Sequence, residues 1–132
     1  MAVRGVVPII RVADMRRAVE FYSSLGFAKD FDYSTNQGGP AYAGVSIDGH
    51  QLHLSTFPGD GVSGTATYCY VDDVDALYAT FVSRGVKPQS EPTHQTWGMR
   101  EVYVRDLDGN TLRFGSPAPD AGEQPLQPSS CA

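Results

Sequence analysis

Cysteine is almost missing from this chain: Cys69 and Cys131 are the only two in 132 residues. That is too few for a disulfide framework, and neither has a neighbour pattern that marks a nucleophile. Cys69 sits in an apolar, strand-like run and reads as a small buried hydrophobe, while Cys131 lies one residue from the end of a polar tail. Basic residues are also short, 10 Lys and Arg against 15 Asp and Glu, for a formal net charge of −5. Such a balance lacks the clustered cations with which nucleic-acid binders meet phosphate, and it favours a cationic ligand by focusing the field. No apolar run approaches the roughly 20 residues that span a bilayer. The opening MAVRGVVPIIRVADM is broken by charge too early for a secretion signal, so the expected location is the cytoplasm, without a membrane partner. Histidine is limited to His50, His53 and His94, and no HxxxH or HxH spacing assembles a metal site from them. No Ser-His-Asp or Cys-His arrangement stands out either.

What the chain does have is an internal repeat. In RVADMRRAVEFYSSLGF, Arg11 to Phe27, Asp14 is placed to cap a helix whose stripe is Met15, Ala18, Val19, Tyr22 and Leu25, with Gly26 as the left-handed stop. In YVDDVDALYATFVSRGV, Tyr70 to Val86, Asp73 caps, Val74, Leu77, Tyr78 and Phe81 form the stripe, and Gly85 stops. The segments superimpose at a shift of 59, and a shift of 60 lays DGHQLHL (Asp48 to Leu54) on DGNTLRF (Asp108 to Phe114). Each half then reads as strand, helix and three strands. The expected strands are 6–12, 27–33, 41–47 and 51–57 in the first half, and 65–71, 86–91, 98–105 and 110–115 in the second. The fold class is α+β: two tandem βαβββ modules, about 5–57 and 65–115, form a curled mixed sheet around a cleft within one domain spanning 1–115. From 116 to 132, Pro, Ser and Gln dominate without period, the composition of a flexible tail.

Strand periodicity bears on the paired histidines of GHQLHLSTF. His50 and His53 are an odd number apart and face opposite sides of a strand, so they cannot chelate one ion from it. His50 belongs to the Asp48-Gly49 turn. His53 shares a face with Gln51 and Ser55, opposite Leu52 and Leu54.

The order of IIRVADMRRAVEFYSSLGF at the front and WGMREVYVRDLDGNTLRF at the back resembles the vicinal oxygen chelate superfamily, which includes glyoxalase I, extradiol dioxygenases and bleomycin resistance proteins. The resemblance spans about residues 5–115 and is closest to the bleomycin resistance branch. It implies four metal-ligand positions, which fall here on Val7, His53, Ala66 and Arg113. Only His53 is a suitable donor, so no metal or other cofactor is expected and catalysis is disfavoured. A metal-dependent lyase, isomerase or dioxygenase with unusual ligands, drawing on His53, His94 and Glu101, is the alternative. The resemblance implies instead a ligand cleft walled by Tyr42, Trp97, His53 and Arg113. Tyr42 and Trp97 stand where the resistance proteins carry their stacking aromatics, and flat π-systems stack on such rings. Phe31, Tyr33, Phe57, Tyr68 and Tyr103 are further candidates for its walls. Pro8 corresponds to a proline that helps an edge strand exchange between protomers, so a homodimer is implied. The expected function is non-catalytic sequestration of a small aromatic, cationic compound such as a bleomycin-family antibiotic.

Overall fold

The computed structural model describes residues 1–35 and 38–118. Its elements run β1 (Ile9–Arg11), α1 (Met15–Ser24), β2 (Ala28–Ser34), β3 (Ala41–Ile47), β4 (His50–Ser55), β5 (Ala66–Tyr70), α2 (Val74–Ser83), β6 (Thr93–His94), β7 (Met99–Arg105) and β8 (Thr111–Pro117). The two βαβββ modules are thus present, and their strands pair into two four-stranded mixed sheets of the same topology, β1-β4-β3-β2 and β5-β8-β7-β6. In each sheet the first and last strands of the module are parallel and the other pairs antiparallel. Residues 119–132, most of the expected tail and Cys131 with it, lie outside the described residues, and Ser116 and Pro117 belong to β8.

Local chemistry sets the element ends. The Asp14 carboxylate accepts from the Arg17 amide at 3.0 Å, and that of Asp73 from the Asp75 and Ala76 amides at 3.1 Å. Each cap satisfies N–H groups that the first helical turn cannot, a contribution of about 1 kcal/mol. Gly26 (φ 110°) and Gly85 (φ 80°) supply the left-handed turn after each helix. Asp48 and Gly49 both have positive φ and close the two-residue hairpin between β3 and β4.

Two strands depart from expectation. β1 begins at Ile9 rather than residue 6, because Pro8 precedes it and offers only its carbonyl, which accepts from the His53 amide at 3.0 Å. β1 is an edge strand, the position where a proline is tolerated. The strand expected at 86–91 does not form. Pro88 and Pro92 remove donors on either side of Gln89, whose amide makes an isolated bond to the Tyr103 carbonyl, and the sheet edge is instead the two-residue β6.

Contacts divide the chain into two compact units, Met1–Thr65 with Asp106–Asn110, and Ala66–Arg105 with the chain from Thr111 on. The core of the first unit includes Ile10, Val12, Tyr22, Leu25, Val45, Leu52 and Leu54, and that of the second Val74, Phe81, Met99, Val102, Val104, Leu112 and Phe114. Alternation along the strands leaves Tyr42 and His53 on the opposite sheet face from Ala43, Val45, Leu52 and Leu54, and Tyr103 and Arg113 opposite Val102, Val104, Leu112 and Phe114. The DLDGN turn, though it joins β7 to β8, is built into the first unit. Buried Asn110 accepts from the Gly64 and Thr65 amides (2.9 and 3.2 Å) and donates to the Arg11 carbonyl and Asp106 (2.9 and 3.0 Å). Buried Asp106 also accepts from the Tyr22 hydroxyl at 2.8 Å.

Candidate functional site

In the second unit the chemistry gathers on one buried carboxylate. Glu101 lies on β7 between Met99 and Tyr103, with its side chain fully buried. One of its oxygens accepts from the Tyr68 hydroxyl (2.6 Å) and the Trp97 indole N–H (3.1 Å). The other accepts from the Tyr103 hydroxyl and the Arg113 Nη2, both at 2.9 Å. Burial alone would push this carboxyl's pKa up, but hydrogen bonds from Tyr68, Arg113, Trp97 and Tyr103 outweigh it and hold the group below the ordinary glutamate range. The phenols respond in the opposite sense. Burial and their bonds to Glu101 raise the pKa of Tyr68 and of Tyr103, so both remain neutral donors.

Register explains the convergence. Tyr68 on β5 and Tyr103 on β7 are both paired with Arg113 on β8, so the guanidinium lies between two tyrosines, 5.4 Å from one ring centroid and 4.9 Å from the other. Glu101 is paired with Gly115, and a side chain there would occupy the place of the Tyr68 hydroxyl. Trp97 sits in the β6–β7 connection, half-buried, with its ring tied to Glu101 four residues on.

The first unit carries a second aromatic group. The Tyr42 hydroxyl bonds His53 Nδ1 at 2.7 Å. Burial, and after it the charge of Asp60, raise the tyrosine's pKa, so its hydroxyl stays protonated. Phe31 stands edge-on to His53 (5.3 Å) and stacks near Tyr42 (6.4 Å), while Tyr33 stacks near Phe57 (6.4 Å). Phe31 lies over Gly44, its partner across the ladder, where any side chain would overlap the ring. A bulge between Lys29 and Phe31 puts it there: Lys29 pairs with core residue Val45, whereas Phe31 and Tyr33 pair with Gly44 and Tyr42 on the opposite face.

The four expected wall residues therefore form two pairs, Tyr42 with His53 in one unit, and Trp97 with Arg113 through Glu101 in the other. In the repeat the counterpart of Tyr42 and His53 is the ion pair of Glu101 and Arg113, 59 and 60 residues on. The sequence pointed to Glu101 only as an alternative metal ligand, and its role as a hub was missed. The available signal was its position two residues from both Met99 and Tyr103, an acid on the same strand face as a flanking aromatic. Both Glu101 oxygens are engaged by donors, so neither is left free beside Trp97. Cys69 is partly rather than fully buried, and burial pushes its thiol pKa up to about 11, the setting of an inert thiol.

The residues at the implied metal-ligand positions do not fit a divalent ion. Val7 and Ala66 have no donor, Arg113 brings a positive charge already paired with Glu101, and His53 alone offers a ring nitrogen, too few ligands for a divalent ion. Among the described residues, no three or more His, Cys, Asp or Glu side chains converge as a metal would require. His50 lies elsewhere, lining a concavity of about 440 Å³ with Val7, Asp30, Ser46 and Gln51.

Comparison with known proteins agrees with this architecture. The family model described as the glyoxalase/bleomycin resistance protein/dioxygenase superfamily matches residues 5–114. The chain belongs to that superfamily. Among solved structures, it is similar to TnmS3, an antibiotic-binding protein from Streptomyces sp. CB03234, at 28% identity over 89% of this chain and 99% of that one, with a TM-score of 0.71. It shares its fold with a glyoxalase-related enzyme from Clostridium phytofermentans (23% identity, 89% and 97% covered, TM-score 0.72). The same holds for a bleomycin-binding protein solved in complex with bleomycin (22% identity, 86% and 98% covered, TM-score 0.67). No curated protein sequence matches the chain. No helix among the described residues is long and apolar enough to cross a membrane.

Proposed function

We propose that this superfamily member binds and sequesters a small aromatic antibiotic without transforming it, as a cytoplasmic homodimer. The observation that carries this reading is the state of Glu101. A buried carboxylate, the group most apt for acid–base chemistry in this cluster, has both oxygens saturated by donors and serves to hold Trp97, Tyr68 and Tyr103 in place. Rings positioned in this way have lost their freedom before a ligand arrives, which lowers the entropic cost of binding. The misfit of the metal-ligand positions and the 28% identity to an antibiotic-binding protein support the same reading.

Bleomycin is the first compound to titrate. Calorimetry with folded protein at micromolar drug should show saturable heat, and light scattering should give twice the chain mass. Trp97→Ala should weaken binding by about 1–3 kcal/mol, the scale of aromatic stacking on a flat ligand. Absence of heat would remove bleomycin as the ligand. Stoichiometric Mn²⁺, Fe²⁺, Ni²⁺ or Zn²⁺ in the purified protein, with turnover that depends on it, would replace sequestration with catalysis.

A further inference from the structure

The cluster around Glu101 also specifies the charge of what can rest against it. Its anion and its cation are unequally placed: the Glu101 side chain is fully buried, while that of Arg113 is 34% exposed. Both carboxylate oxygens are engaged, and the hydroxyls of Tyr68 and Tyr103 and the N–H of Trp97 are spent on them. Arg113 uses only Nη2 for the ion pair. Its Nε is buried with no partner, while the side chain as a whole is partly open to solvent. The guanidinium cannot swing away to find other partners, because Glu101 holds one edge and the tyrosine rings flank its faces. What remains for a ligand is a partly exposed, positively charged guanidinium bordered by aromatic rings.

We propose that this cluster selects a planar aromatic compound through an anionic oxygen on that compound, a carboxylate or a phenolate, set against Arg113. The inference rests on the reading of the cluster as an aromatic ligand site and adds the ligand's polarity to it. A positively charged group brought to the same place meets a like charge, and both Glu101 oxygens are already engaged by donors. For a drug such as bleomycin, the geometry sets an acceptor oxygen rather than a cationic end against Arg113. Hydrogen bonds to a charged, preorganised guanidinium are stronger than neutral ones, and the fork geometry of arginine suits a carboxylate.

The test is a matched pair of probes, 2-naphthoate and 2-naphthylmethylammonium, titrated calorimetrically into the full chain. Naphthoate should bind at least about tenfold more tightly, the ratio that one charge-assisted hydrogen bond provides. Arg113→Lys retains a charge for Glu101 but removes the planar fork, and should lose most of that preference. Arg113→Gln should abolish it, with circular dichroism confirming that each variant is folded. Equal or reversed preference in the wild-type protein overturns the inference while leaving an aromatic site intact, as does a folded Arg113→Lys variant that binds naphthoate as well as the wild type. If neither probe binds, the aromatic site itself fails and the inference with it.

Discussion

A carboxylate wholly removed from water keeps its charge only if fixed donors replace its hydration shell, and Glu101 has four. Its folded-state pKa is depressed, so the unfolded chain binds the proton more readily than the folded one. The stability this group contributes is therefore present above the unfolded glutamate value, about 4.3, and is lost as pH falls through the lower folded value. Glu101→Gln should lower unfolding free energy at neutral pH by about 3 kcal/mol, because Arg113 loses its counter-charge and a donor amide is set among donors. The variant should also flatten the acid limb of stability. Urea unfolding from pH 7 down to pH 3 measures both. An unchanged acid limb would assign that titration to other carboxylates.

At the scale of elements, close backbone approach decides which side chains meet. Gly115 faces Glu101 across the β7–β8 ladder and leaves room for the Tyr68 hydroxyl. Gly115→Ala should push that hydroxyl off the carboxylate and cost about 2 kcal/mol, and the cost should shrink in a Tyr68→Phe background, as a double-mutant cycle of urea midpoints would report. Such contacts also mark how far the sequence could be read. Helix caps, stop glycines and the Asp48-Gly49 hairpin depend on residues near in sequence, the repeat on two segments that carry the same local pattern, and all were legible. The bulge beside Asp30 was not: Phe27, Phe31 and Tyr33 share parity, yet Phe27 is in the core and the other two lie on the aromatic face. One extra residue in a strand inverts every face assignment after it, and no local pattern announces it. The missing strand at 86–91 has a similar cause. Its apolar start was visible, but so were Pro88 and Pro92, which weigh more heavily because a ladder needs donors. Glu101 was hidden for a different reason, since its partners come from three strands and a loop.

At the scale of the molecule, chain order and compact units do not coincide. The DLDGN turn interrupts the second unit in sequence and supplies buried Asp106 and Asn110 to the first. Residues 1–65 alone would leave the Gly64 and Thr65 amides and the Arg11 carbonyl without their Asn110 partner, and the Tyr22 hydroxyl without Asp106. Two units joined through a turn of this kind should unfold together. Asn110→Ala, which removes at least four hydrogen bonds around one buried side chain, should destabilise by about 3 kcal/mol. Trp97 is the only tryptophan in the chain and lies in the second unit, so its fluorescence reports there the effect of a change made in the first. Coupled unfolding requires that the Trp97 midpoint in urea fall as far as the midpoint read by far-ultraviolet circular dichroism. A Trp97 midpoint left at the wild-type value, with only the circular dichroism transition shifted, would show that the second unit holds its fold and its Glu101 cluster without the first.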